Sequence, residues 1–90
     1  MPGNTLQHLQ DQAHRNLLAF LKAELALGLI FVDATIIERK ESNLAGYERN
    51  KAEAIKAAET VQRFKERLPA VARREIEIAA LKLTRAISKL

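Results

Sequence analysis

Residues 17–37 read LLAFLKAELALGLIFVDATII, and this stretch decides the fold. Leucine and alanine dominate it, and both are strong helix formers. No proline occurs between Asn4 and Ala45, and Gly28 is the only glycine in that interval. A β fold would need many more turn residues than this. The stretch therefore predicts a long apolar helix within an all-α protein.

Apolar residues continue at helical spacing on both sides of the stretch, so we expect helix 1 to cover about residues 5–40. Asn4 followed by Gln7 matches a capping box, which would start the helix at Asn4 or Thr5. Gly28 is interpreted as a point of close contact inside one continuous helix.

Two further amphipathic segments follow. Ser42 and Asn43 are both good N-caps, and they predict helix 2 over about residues 44–68. Pro69 ends this helix because proline disfavours helical geometry in the residue before it. A strict four-three spacing of apolar residues then predicts helix 3 over about residues 70–89.

The predicted fold is all-α, with residues 1–90 forming a single domain. It is a three-helix up-down bundle built on a long antiparallel αα-hairpin. If the turn centres near Ser42 and Asn43, facing residues of helices 1 and 2 have numbers that add up to about 85. Gly28 then faces Ala57, and this small pair allows the two backbones to approach closely.

The same register leaves the start of helix 1 without a neighbour. Helix 2 ends opposite about Asn16, so residues 4–15 project by roughly 18 Å at 1.5 Å per residue. This overhang carries Leu6, Leu9 and Ala13 at helical spacing. A single helix with an apolar stripe is unstable in water. Either the overhang packs on a second chain, or helix 1 breaks and folds back. We favour a homodimer, completed through these three residues, with the outer face of helix 3 as a second apolar surface.

One acidic residue lies inside the apolar part of helix 1. Asp33 falls within residues 25–37, where Thr35 is the only other polar residue. The register places Lys51 or Ala52 opposite it, and Lys51 lies on the apolar stripe of helix 2. We predict a partly buried Asp33–Lys51 ion pair that fixes the register, since paired charges in a core seldom add much stability.

Positive charge is concentrated in the second half of the chain. The net charge is +4, with −2 on residues 1–38 and +6 on residues 39–90. This asymmetry supplies an alternative function, a nucleic-acid-binding protein that uses the basic C-terminal half. In a simpler interpretation, the basic residues at the end of helix 2 complement its dipole. The candidate anion contacts lie around Pro69 and are Arg63, Arg67, Arg73 and Arg74.

Several classes of chemistry have no counterpart in the sequence. The chain contains no cysteine, and His8 and His14 point away from each other on a helix, so they cannot share a metal ion. No catalytic, metal or cofactor motif occurs, and we predict a protein without enzyme activity, cofactor or metal. The longest apolar run, residues 25–32, is too short to span a bilayer, and the first residues do not resemble a secretory signal. We therefore expect a cytoplasmic protein with no membrane partner.

Part of the hairpin, residues 24–69, resembles a tetratricopeptide-type repeat. Leu27, Gly28 and Phe31 match the leucine, the small residue and the aromatic of that family's first helix. The matching residues of the second helix are Ala57, Val61, Phe64 and Pro69. Valine and phenylalanine stand there where the family has phenylalanine and alanine. Both helices are longer than the family allows, and one unit cannot stack into a solenoid.

The resemblance implies a scaffold that binds partner proteins or peptides, and no site residues transfer with it. Together with the uncovered overhang, it leads to one functional prediction. The chain is a helical protein–protein interaction or self-assembly module without catalytic activity.

Overall fold

The computed structural model describes the backbone of residues 2–90 and the side chains of residues 5–90. The described chain contains no strand, so the all-α prediction is confirmed. A short 3-10 turn over Lys65–Arg67 precedes the last helix. The α-helices are α1 over Pro2–Lys40, α2 over Leu44–Phe64 and α3 over Ala70–Ser88.

The first helix, α1, is continuous over 39 residues and passes through Gly28 without a break. It begins at Pro2, earlier than the predicted start at Asn4 or Thr5. The predicted capping box involves the Asn4 side chain, which lies outside the described residues. A helix of this length spans about 58 Å at 1.5 Å per residue. The protein measures 61 × 18 × 15 Å, so α1 sets the length of the molecule.

A Schellman motif ends α1 and turns the chain into α2. The Asn43 N–H donates to the Glu38 carbonyl at 2.9 Å, and the Ser42 N–H donates to the Arg39 carbonyl at 3.1 Å. Ser42 has a φ of 57°, in the left-handed region where such motifs usually place glycine. Of the two predicted N-caps, Asn43 takes the position, and its side-chain oxygen accepts from the Gly46 N–H at 3.1 Å.

The two helices pack antiparallel in the predicted register. A methyl group on Gly28 would lie 3.3 Å from Cβ of Ala57, and one on Gly46 would lie 2.7 Å from Oε2 of Glu38. The residue numbers of these pairs add up to 85 and 84. The prediction that small residues allow close approach at Gly28 is therefore confirmed.

The end of α2 differs from the prediction. The helix was expected to continue to Leu68, but it ends at Phe64 and gives way to the 3-10 turn. Leu68 precedes Pro69 and is extended, with φ −84° and ψ 148°, which is the conformation that proline imposes on its predecessor. The last turn tightens to i→i+3 bonding as it approaches this extended residue. Pro69 is the N-cap of α3.

The core lies where the three helices meet. Its one buried polar side chain is Thr35, whose hydroxyl donates to the Phe31 carbonyl at 2.7 Å. The Lys22 ammonium lies 3.1 Å from the Glu75 carboxylate, and the Arg39 guanidinium donates to the Leu90 carbonyl at 3.3 Å, so α1 and α3 run in the same direction. No helix in the described part of the chain is both long and apolar enough to cross a bilayer. The buried apolar cluster consists of Leu21, Leu25, Val32, Ala54, Val61, Leu68, Ile76, Ala80 and Leu83.

Candidate self-association surface

The first turns of α1 extend beyond the other two helices. Leu17 and Leu18 are the first apolar side chains of α1 that pack against the core. Before them, every described side chain is exposed except His14, which is half-buried. Leu6 and Leu9 are 59% and 57% exposed, and Ala13 is exposed as well. The structure therefore leaves the three predicted contact residues uncovered by their own chain.

These residues belong to a longer apolar stripe that follows the outer side of α1. Its members recur at alternating steps of three and four residues, which is the spacing of a coiled-coil heptad. All of them are exposed except Ala34, which is half-buried, and only Asn16 is polar. We call this stripe the outer seam, and it comprises Leu6, Leu9, Ala13, Asn16, Phe20, Ala23, Leu27, Ile30, Ala34 and Ile37.

A second heptad stripe lies on the inner side of the same helix. At 100° per residue the two stripes are separated by about 150° around the helix axis. The inner stripe packs against α2 and α3, so the outer seam faces away from the bundle. The inner stripe consists of Leu18, Leu21, Leu25, Gly28, Val32 and Thr35.

The outer seam exposes large apolar side chains along the length of α1. Its six large side chains, those of Leu6, Leu9, Phe20, Leu27, Ile30 and Ile37, are between 43% and 61% exposed. Scattered exposed leucines are ordinary, but a contiguous apolar stripe marks a site of association. The stripe has the period of a coiled-coil seam, so it is suited to pack against another helix.

Sequence reasoning found only the first three positions of the outer seam. It assigned the whole of residues 17–37 to the hairpin core because nearly all of them are apolar. The structure divides that segment between an inner and an outer face, and Phe20, Leu27 and Ile30 belong to the outer one. The signal that could have separated them is the presence of two heptad patterns, offset from each other, in one helix.

The predicted Asp33–Lys51 ion pair is wrong. Asp33 is exposed and lines an open groove between α1 and α3, and none of the ion pairs among residues 5–90 includes it. The Lys51 ammonium lies 5.7 Å from the centre of the Tyr47 ring. The hairpin register predicts how far along the helix axis a residue lies, but not the direction in which its side chain points. Asp33 follows the buried Val32 by 100°, and this rotation turns its side chain away from α2.

The four predicted anion contacts do not form one free basic cluster. Arg73 pairs with Glu66 at 3.3 Å and approaches Glu77 at 3.9 Å. The Arg67 guanidinium lies 4.9 Å above the Phe64 ring. Arg63 and Arg74 are exposed. The nucleic-acid alternative stays a prediction, with part of its charge neutralised locally.

The two histidines lie on the overhang, with His8 exposed and His14 half-buried. Residues 5–90 contain no group of three or more histidine, aspartate or glutamate side chains placed to hold a metal ion.

Comparison of the chain with protein-family models, with curated proteins and with solved structures finds no match. The tetratricopeptide-like resemblance of residues 24–69 therefore stays a prediction.

Proposed function

We propose that this chain is a helical interaction module that associates with itself as a homodimer through α1. One observation carries the proposal. The overhang presents Leu6, Leu9 and Ala13 at helical spacing, and no other part of the described chain covers them. Because an isolated amphipathic helix gains most of its stability from packing its apolar face, the overhang needs a partner surface.

The mass of the protein in solution tests this proposal. Sedimentation velocity at micromolar concentration should give about twice the chain mass of 10.1 kDa. The double variant Leu6→Glu/Leu9→Glu should sediment as a monomer, because it places charges in the apolar interface. Circular dichroism should show that the three-helix bundle stays folded, with loss of helix confined to the overhang, since both positions are exposed in the single chain.

Val71→Glu is the matched control. Val71 is 86% exposed on the outer face of α3, so the variant also replaces an exposed apolar side chain by glutamate, but away from α1. It should leave the dimer intact. A wild-type protein that stays monomeric at high micromolar concentration would refute the proposal. Dissociation by Val71→Glu, with Leu6→Glu/Leu9→Glu still dimeric, would move the interface to α3.

A further inference from the structure

We propose that the partner of the outer seam is the α1 helix of a second copy, which lies antiparallel to it along the full length of the seam. The two-fold axis then passes through the seam between Phe20 and Ala23, and facing residues have numbers that add up to 43. This inference rests on the proposed self-association and adds its partner surface, direction and register.

The side chains of the seam are complementary to themselves in this register. Antiparallel coiled coils place an a position of one helix opposite a d position of the other, and every seam residue meets another seam residue in this way. Three of the five layers join a large side chain to alanine, which is how packed layers interdigitate. The layers pair Leu6 with Ile37, Leu9 with Ala34, Ala13 with Ile30, Asn16 with Leu27, and Phe20 with Ala23.

The arrangement also covers both uncovered parts of α1 at once. The overhang, residues 6–16 of one copy, lies along residues 27–37 of the other. In that second segment the inner side of α1 packs in the bundle, while Leu27, Ile30 and Ile37 remain exposed. Each overhang thus gains a folded surface to pack on, and each exposed outer segment gains a cover.

The residues beside the seam favour the same direction. Near the two-fold axis Ala19 of one copy lies opposite Ala26 of the other on one flank of the seam, where their small side chains allow close approach, and Leu17 lies opposite Glu24 on the other flank. On the flank of Ala19 and Ala26, where paired numbers add up to 45, Asp33 lies beside the neutral Gln12 of the second copy. A parallel arrangement would instead bring each seam residue against its own counterpart in the second copy. Alanine would then stack on alanine, which leaves gaps, and Phe20 on Phe20, which crowds its layer.

The seam is long enough for a stable dimer. From Leu6 to Ile37 it extends about 46 Å at 1.5 Å per residue. Its ten positions and their flanking neighbours amount to about twenty residues per copy, at the lower end of the 20–30 residues that a standard-size interface uses on each side. The overhang alone, with three apolar positions, falls well short of that size.

Cysteine cross-linking tests direction and register, and the chain contains no cysteine of its own to interfere. The double variant Leu9→Cys/Ala34→Cys, oxidised with copper phenanthroline, should form a covalent dimer on a non-reducing gel. The single variants Leu9→Cys and Ala34→Cys should each stay monomeric on that gel, and an equimolar mixture of the two should cross-link. Positions 9 and 34 are about 37 Å apart within one helix, so no disulfide can form inside a chain.

The control for register is Leu9→Cys/Leu27→Cys, which would cross-link if the helices were shifted by one heptad, or about 10 Å. It should react at least about tenfold more slowly than Leu9→Cys/Ala34→Cys, because a disulfide needs Cα atoms within about 7 Å. Cross-linking by Ala34→Cys alone would indicate a parallel dimer and overturn the inference. Faster reaction of the control would overturn the register.

The result also separates this inference from the proposed function. A monomeric wild-type protein would refute both. A dimer by mass that is dissociated by Leu6→Glu/Leu9→Glu, yet forms no disulfide in Leu9→Cys/Ala34→Cys, would leave the self-association in place and overturn only the antiparallel seam.

Discussion

A methyl group placed on Gly28 would lie 2.7 Å from Cδ2 and 3.1 Å from Cδ1 of Leu83. Leu83 is completely buried, so its methyl groups cannot move aside without disturbing the contact between α1 and α3. Overpacking a core costs about 1–3 kcal/mol, whereas alanine gains about 1 kcal/mol over glycine in a helix. We expect Gly28→Ala to lower the free energy of unfolding by about 1 kcal/mol, measured by urea unfolding at a fixed chain concentration.

The same substitution in a Leu83→Ala background is its control. With the leucine methyls removed, the closest clash is gone, the contact with Cβ of Ala57 at 3.3 Å can relax into the vacated space, and the gain in helix propensity dominates. Gly28→Ala should then raise the free energy of unfolding, by up to about 1 kcal/mol. An equal effect in both backgrounds would mean that Leu83 is not the obstacle.

Ser42 ends α1 in a left-handed conformation that glycine adopts without steric cost. With φ at 57°, the Cβ of Ser42 approaches the backbone, at a cost of about 1–2 kcal/mol for an L-residue. We expect Ser42→Gly to raise the free energy of unfolding by about 0.5–1 kcal/mol, measured by thermal and urea unfolding. Ser42→Ala keeps the Cβ and should give no increase. If alanine stabilised the protein as much as glycine, relief of the left-handed strain could not be the reason.

The hydroxyl of Tyr47 connects the start of α2 to the residues that follow α3. It donates to the backbone oxygen of Leu90 at 2.8 Å, and Arg39 donates to the same oxygen at 3.3 Å. Tyr47→Phe keeps the ring beside Lys51 and removes only the hydroxyl. We expect it to lower the free energy of unfolding by about 0.5–1.5 kcal/mol and to speed amide exchange at Lys89 and Leu90. Unchanged amide exchange at Lys89 and Leu90, with unchanged stability, would mean that this hydrogen bond does not stabilise the end of α3.

Spacing along the chain was sufficient to predict the order of the helices and the register of the hairpin. Gly28 opposite Ala57 follows from the position of the turn alone, because an antiparallel pair of straight helices keeps the sum of facing residue numbers constant. The early end of α2 was missed because the effect of Pro69 was applied only to Leu68. The extended Leu68 also changes the turn before it, from α to 3-10.

The side of the helix was harder to predict than the height along it. Asp33 and Lys51 lie at matching heights, but their azimuths differ and they do not meet. The outer seam was missed for the same reason. In residues 17–37 almost every position is apolar, so composition does not distinguish Leu25, which is buried, from Leu27, which is exposed. Only the placement of α2 and α3 shows which stripe is covered.

The response to salt separates the proposed dimer from the nucleic-acid alternative. No charged residue lies on the outer seam, so the dissociation constant of the dimer should change by less than about threefold between about 50 and 200 mM salt. Binding through several phosphate contacts would instead weaken by orders of magnitude over that range.

Because Arg73 is already paired with Glu66 and Glu77, we expect no retardation of a DNA duplex in a gel-shift assay at low salt. Strong retardation that disappears with salt would favour the alternative.

Asn16 is the one polar residue in the outer seam, and replacing it by an apolar residue should strengthen the dimer. In the antiparallel register it faces Leu27 of the second copy, where its amide must lose water without gaining a matched partner. We expect Asn16→Leu to lower the dissociation constant of the dimer by about tenfold or more, measured by sedimentation equilibrium. Gln7→Leu is the matched control, since it exchanges an amide for the same side chain on the opposite side of the overhang. The control should leave the dissociation constant unchanged. If both variants tightened the dimer equally, general apolarity of the overhang would explain the gain, and the outer seam would lose its special role.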